Sequence, residues 1–241
     1  MKRAALAVVS VLALTSALTA CSGGEDTPTD SPSAPKAKQI TPAQRLAKAI
    51  VTTDDLPGYN VSEPEAEYVF AKSSDEVTVD KPGCAPLAYA MNQLPLGEPQ
   101  ADLTRGAGAG YGKTSTYITL AVYEPAAEAE SVLAGLAKAV PECGDGFTAK
   151  AGKNTTAYGS VTAEKGTTAG AVAFRSTMTF RGITHTLHTE AVRDGDVLAV
   201  YFSVNGFAIA DSRRPSDAKM PANVVRAQDS KLAKQSSREG R

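Results

Sequence analysis

The chain has 241 residues, 42% hydrophobic and 21% charged, with a formal net charge of −1 that becomes −3 once Lys2 and Arg3 are set aside. That balance excludes a general attraction to nucleic acid or to an anionic lipid surface. The apolar share is sufficient for one real core in a single domain of about 180 to 200 residues.

In chain order, Lys2 and Arg3 precede an uncharged run from Ala4 to Ala20 that closes on Leu18-Thr19-Ala20-Cys21. Two cations hold the amino terminus on the cytoplasmic side while the apolar run enters the export machinery. Ala20 is small enough for a peptidase that cuts before Cys21, whose thiol is the nucleophile that takes a diacylglycerol. The stretch resembles the bacterial lipoprotein signal, so residues 1–20 are expected to be removed. Cys21 would then carry two or three fatty acyl chains such as palmitate. One chain anchors only marginally, at ~0.8 kcal/mol per buried methylene, and two or more hold stably. The alternative, an uncleaved membrane helix, is disfavoured because a span needs ~20 apolar residues and Thr15, Ser16 and Thr19 interrupt this one. The expected location is the extracytoplasmic face of the cell membrane.

Residues 21–40 read as the lipidated cysteine and a flexible tether, in which Gly23, Gly24, Pro28, Pro32 and Pro35 stand among Ser, Thr, Asp and Glu. A single α+β domain is expected over 41–235, with 236–241 a frayed tail. It opens on Thr41-Pro42-Ala43-Gln44, a capping-box pattern with Pro at the first helical position, and the helix is expected to end near Thr53. Asn60 to Val79 alternates loosely, as one or two irregular strands. Cys84 to Met91 suits a short helix. Gly97 to Gly112 is poor in large apolar residues and reads as a mobile loop. Thr116 to Tyr123 alternates strictly and predicts a strand, with Tyr117, Thr119, Ala121 and Tyr123 on one face.

Glu124-Pro125 opens the clearest helix, whose Ala129, Val132, Leu133, Leu136 and Val140 form one apolar face before Pro141 stops it. Three or four strands follow, over Thr155–Ala163, Ala169–Phe180, Ile183–Val192 and Val197–Val204, with tight turns at Arg181-Gly182 and Asp194-Gly195. Pro221 starts a last helix. The expected fold class is α+β: an antiparallel sheet of about five or six strands with helices packed against it and one disulfide. With Cys21 assigned to lipid, Cys84 and Cys143 remain as an even pair outside the reducing cytoplasm and are expected to be bridged. The other reading leaves two buried free thiols.

Three patterns imitate chemistry. Ala107 to Thr114 satisfies a relaxed P-loop, but a polar stretch precedes it and a β-branched strand follows where a helix is required. His185 and His188, the only histidines, fall on opposite faces of a strand, leaving His188 and Glu190 as two ligands where a metal site needs more. Ser216-Asp217-Ala218-Lys219 has the spacing of a Ser-x-x-Lys nucleophile without the companion motifs. No catalytic residue, cofactor or metal is therefore expected, and the chain reads as a non-enzyme. The late basic residues, Arg213, Arg214, Lys219, Arg226, Lys231, Lys234, Arg238 and Arg241, are interleaved with acids and read as a solvated face.

The element order carries a resemblance: a short helix into Thr53-Asp54-Asp55-Leu56-Pro57-Gly58, a cysteine at Cys84, the strand Tyr117–Tyr123, an Ala-rich helix, Cys143 directly after it, four strands, and a closing helix with Val224-Val225-x-Ala227-Gln228. From Thr41 to about Gln235 it resembles the extracellular sensor domains of actinobacterial receptor-type Ser/Thr kinases of the PknH kind. That family commonly shows two disulfides, whereas this chain has cysteines for one. The resemblance implies an antiparallel α+β sheet with a cleft able to receive a ligand, and no catalytic residue. The expected function is a lipid-anchored, sensor-like module binding a small envelope-derived ligand. The alternative is a scaffold or accessory lipoprotein contacting another envelope protein. An apolar cavity lined by aromatics such as Tyr68, Phe70, Phe174 and Phe180 favours the first, and a flat exposed apolar patch the second.

Overall fold

The computed structural model describes residues 40–66, 69–211 and 214–239. The expected signal sequence, Cys21, the expected tether up to Gln39, Tyr68, Arg213 and the last two residues lie outside the described residues. The first helix, α1 (Pro42–Ala49), carries the expected capping box: Gln44 N–H donates to Thr41 Oγ1 at 3.3 Å and Thr41 N–H donates to Gln44 Oε1 at 3.0 Å. It ends at Ala49, and a separate 3-10 turn covers Thr53–Asp55.

The sheet corrects the expected count of five or six strands: among the described residues it has ten. In chain order they are β1 (Asn60–Ser62), β2 (Val77–Val79), β3 (Ala101–Gly108), β4 (Ser115–Val122), β5 (Phe147–Ala151), β6 (Asn154–Glu164), β7 (Val172–Phe180), β8 (Ile183–Asp194), β9 (Val197–Val204) and β10 (Ser216–Asp217). The spatial order is β1-β3-β4-β9-β8-β7-β6-β5-β2, and every neighbouring pair on this path is antiparallel. β10 is the parallel exception. It pairs Ser216 with His185 and Asp217 with Thr186, on the part of β8 that β9 leaves unpaired.

The expected mobile loop is where the reading failed most. Residues 101–108 form β3, whose full length pairs with β4. A Cβ on Gly106 would come within 3.3 Å of the Tyr117 ring, so the glycine that suggested a loop makes room for a cross-strand aromatic. β5 escaped notice because Phe147 is its only large apolar residue. It starts from Gly146, at φ +80°, where a Cβ would collide with the backbone of Tyr158 and Gly159.

Helices cover both faces, in three layers. On one face α2 (Ala85–Ala90) and α3 (Ala126–Glu142) bury Leu87, Ala88, Leu136 and Val140 against Phe147, Tyr158, Phe174, Leu187 and Val200. On the other, α1 and the closing helix α5 (Ala222–Glu239) bury Leu46, Val224, Val225 and Leu232 against Ile118, Leu120, Ala199 and Tyr201. The alternation read for β4 holds: Tyr117 and Ala121 pack with the first cluster, Ile118, Leu120 and Val122 with the second. Cys84 and Cys143, both buried, are bonded across 59 residues and fasten the start of α2 to the end of α3.

Two polar ties hold α1 in place. Gln228, fully buried on α5, accepts from Val51 N–H at 2.9 Å and donates to Ala49 C=O at 2.8 Å, supplying hydrogen bonds that the chain leaving α1 cannot make. Gln228→Leu strands both groups and is expected to cost about 2 kcal/mol in a urea melt; a change below about 0.5 kcal/mol contradicts this role. Arg45 makes a bidentate pair with Asp196 at the β8–β9 turn, Nη1 to Oδ2 at 2.5 Å and Nη2 to Oδ1 at 2.7 Å. Its hydrogen bonds hold the Asp196 carboxyl below the ordinary 3.8, against partial burial that would raise it. A depressed carboxylate pKa contributes stability above the unfolded value and loses it as pH falls through the folded one. Arg45→Met is therefore expected to cost about 1 kcal/mol at neutral pH, the low value reflecting partial exposure. The difference from wild type should vanish near pH ~2, and denaturant midpoints across pH measure it.

Candidate functional site

Beside α2 the first face of the sheet is left uncovered by long helices, and a cavity of about 570 Å³ opens there. Strand alternation builds its floor: Tyr117 from β4, Phe202 and Val204 from β9, Leu187 from β8, Met178 from β7 and Tyr158 from β6 all project from this face. Phe70 and the residues ending α2 form the walls. A short helix, α4 (Gly206–Asp211), closes one side with Gly206, Phe207 and Ala210. Asn205 begins α4 by accepting from Ala208 N–H at 2.9 Å, and its amide donates to Gly112 C=O at 3.4 Å, attaching the helix to the β3–β4 hairpin. Phe207 packs on Tyr111 of that hairpin with ring centroids 4.8 Å apart.

The polar side chains that line the cavity are Asn92, Gln93, Asn154, Thr156 and the tyrosines Tyr117 and Tyr158. Asn92 donates to Ala88 C=O at 2.6 Å and to Tyr158 Oη at 3.1 Å, and Ser176 donates to Met91 Sδ at 2.9 Å. Burial pushes the Tyr158 phenol up to about 12, outweighing the Asn92 contact, and burial likewise raises Tyr117. Gln93 differs. Its Oε1 is buried, lines the cavity wall through its residue, and has no hydrogen-bond partner among the described residues. Its backbone lies at φ +62°, and Leu94 N–H donates back to Tyr89 C=O at 3.1 Å. That bond closes the end of α2 as a Schellman motif with Gln93 at the left-handed position where glycine is usual. A side chain there costs about 1 kcal/mol.

Of the aromatics expected to line a cleft, Phe70 does so. Phe174 is fully buried in the core behind it, and Phe180 is exposed at the end of β7. Tyr117, Tyr158, Phe202 and Phe207 were not anticipated; they come from four separate elements, and no local spacing marks them.

The histidines sit elsewhere. His188 places Nδ1 2.8 Å from Glu164 Oε2 and Nε2 2.6 Å from Asp217 Oδ1. Asp217, which desolvation would raise, is held below its usual range by His188 and Lys219. His185 points to the opposite face, with Nδ1 2.9 Å from Ser216 Oγ; burial lowers its pKa, and Nε2 has no partner among the described residues. A serine–histidine pair with no carboxylate on the second nitrogen lacks the orienting member of a hydrolytic triad. Lys219 is paired with Asp217 at 3.3 Å, and β4 follows the P-loop-like segment where a phosphate-cradling helix would be needed. Among the described residues no group of three or more His, Cys, Asp or Glu is arranged to hold a metal. Of the late basic residues, Lys231, Lys234 and Arg238 line a groove with Lys48 between α1 and α5, where Lys231 meets Asp55 at 2.6 Å.

No protein-family model matches the chain, and no curated protein matches it in sequence. Among solved structures it is similar in fold to the extracellular domain of PknH from Mycobacterium tuberculosis. The TM-score is 0.54 at 11% sequence identity, over 82% of this chain and 97% of that one.

Proposed function

We propose that this chain is an exported, lipid-anchored, sensor-like module that captures a small envelope-derived molecule in the cavity between the sheet and α4, without chemistry of its own. The observation that carries the reading is a mainly apolar cavity of about 570 Å³ with aromatic side chains from the sheet and α4 and a few polar ones around it. Sites that bury small ligands run to ~300–1,000 Å³ and combine apolar walls with a few polar groups. The likeness in fold to the extracellular domain of PknH agrees with a role outside the cytoplasm, as does the lipoprotein-signal pattern ending at Cys21.

The test is native mass spectrometry of the protein recovered gently from the cells that make it, with a reduced sample alongside. A recurring small adduct in a fixed ratio is expected. A bare protein accompanied by a stoichiometric partner overturns the reading in favour of an accessory lipoprotein. One observation favours that second role: Tyr111 is 88% exposed and packs with tilted rings against Phe207, itself 43% exposed. If it holds, Tyr111→Ala releases the partner.

A further inference from the structure

Four cations converge on the groove of about 630 Å³ between α1 and α5: Lys48 at the end of α1, and Lys231, Lys234 and Arg238 on α5. On a helix, steps of three and four residues keep Lys231, Lys234 and Arg238 on one face. Lys231 is engaged by Asp55, the one acid that lines the groove. Lys48, Lys234 and Arg238 are exposed and make no ion pair among the described residues. The other polar lining side chains, Ser230 and Gln235, are uncharged. Of the acids nearby, Asp54 adjoins Asp55 in its 3-10 turn, Asp229 is held by Tyr201 and Thr168, and Asp194 accepts from Ser236. Glu124 lies across Ile40, in an adjoining hollow with the Arg45–Asp196 pair. Like charges three and four residues apart repel on a helix. Helix C-termini favour cations, which accounts for Lys48 and Arg238 singly and not for their meeting in one groove.

The groove also lies where the chain departs for its expected anchor. Ile40, which lines it, is 19 residues from Cys21, a stretch that spans at most about 65 Å fully extended. Lys36 and Lys38 lie within four residues of Ile40, while Glu25, Asp26 and Asp30 are nearer to Cys21. The field of a membrane surface acts within a Debye length of ~8 Å, so a local cluster is drawn to anionic lipid although the whole chain carries a net negative charge. We propose that this groove docks on the anionic phospholipid headgroups of the membrane that holds the chain, with Lys48, Lys234 and Arg238 meeting the phosphates. Helices α1 and α5 then face the bilayer, and the other face of the sheet, with its cavity, is turned away from it. The proposal rests on the lipid anchor at Cys21 and adds the orientation of the anchored domain.

The test is lysine acetylation by acetic anhydride, an uncharged reagent, read residue by residue by mass spectrometry. The mature protein recovered from its producing cells is placed on preformed vesicles of phosphatidylcholine, with or without phosphatidylglycerol as a minor component. Each cation near an anionic surface favours the docked state about fivefold, so three favour it about a hundredfold. Acetylation of Lys48 and Lys234 is expected to slow at least about fivefold on the phosphatidylglycerol vesicles, and the protection to vanish in about 1 M salt. Lys150 and Lys153, exposed on β5 and the turn after it, should react alike on both vesicles. Lys48→Gln with Arg238→Gln keeps Lys234 as the reporter and should cut its protection to less than about twofold, whereas Lys150→Gln with Lys153→Gln should leave it whole. Both double variants change exposed side chains and should melt with wild type. Equal acetylation of Lys48 and Lys234 on the two vesicles, or protection that survives loss of Lys48 and Arg238, overturns the docking. Equal protection on phosphatidylcholine by inorganic phosphate at matched ionic strength would make the groove a free-anion site and overturns it too. So does protection already present in neutral detergent and released by Glu25→Gln, Asp26→Asn and Asp30→Asn, since the chain's own acids would then be the occupant. In each of these cases an intact mass that includes the acyl chains leaves the anchor standing. An intact mass without them overturns the anchor and this proposal with it.

Discussion

Replacing Cys84 and Cys143 together by alanine is expected to lower unfolding free energy by about 4 kcal/mol, from the entropy the bridge removes from the unfolded chain. The melting temperature should fall by roughly 10 °C in a domain of this size. The 59-residue separation sets the scale, and both cysteines are buried between α2 and α3. The consequence reaches the cavity, because Met91, Asn92 and Gln93 end the helix that Cys84 precedes. Loss of the bridge should therefore weaken ligand capture before the domain unfolds. Calorimetry and probe titration on the same sample measure both, and a loss under about 1 kcal/mol would place the stability of this region in apolar packing instead.

Val204→Trp is expected to abolish uptake of a small ligand, by at least about a hundredfold, while leaving the fold intact. Val204 stands on the central strand β9, paired with Ser115, and lines the cavity. A strand side chain stands perpendicular to its sheet, so an indole there has nowhere to turn but into the cavity. Tryptophan is well accepted in strands. Filling a space already present avoids the 1–3 kcal/mol typical of overpacking a closed core, so stability should change by less than about 1 kcal/mol. Circular dichroism and a thermal melt establish the fold, and titration with phenylnaphthylamine establishes the loss. Unchanged affinity would mean that the probe binds elsewhere.

What the sequence made legible follows from how local each signal is. The Thr41 capping box, the apolar stripe of α3, the alternation of β4 and the tight turns around Gly182 and Gly195 need only neighbouring residues, and the elements they announce are present. β3 was hidden because Gly106 has its meaning only beside Tyr117, eleven residues further on and on another strand. β1, β2 and β10 have two or three residues each and exist through their partners. They exceed anything a periodicity can reveal. The cavity was harder still, since Phe70, Gln93, Tyr158 and Phe202 meet only after the sheet has closed its order. Gln93 offered one faint sign: it follows a short helix, before Leu94-Pro95, where a glycine would be ordinary.

The most direct test of the account is a high-resolution crystal structure of the protein purified, without added ligand, from the cells that produce it. The account predicts continuous density for a compact molecule bounded by Phe70, Phe202 and Phe207. A cavity holding only ordered water, or one collapsed onto itself, would contradict it.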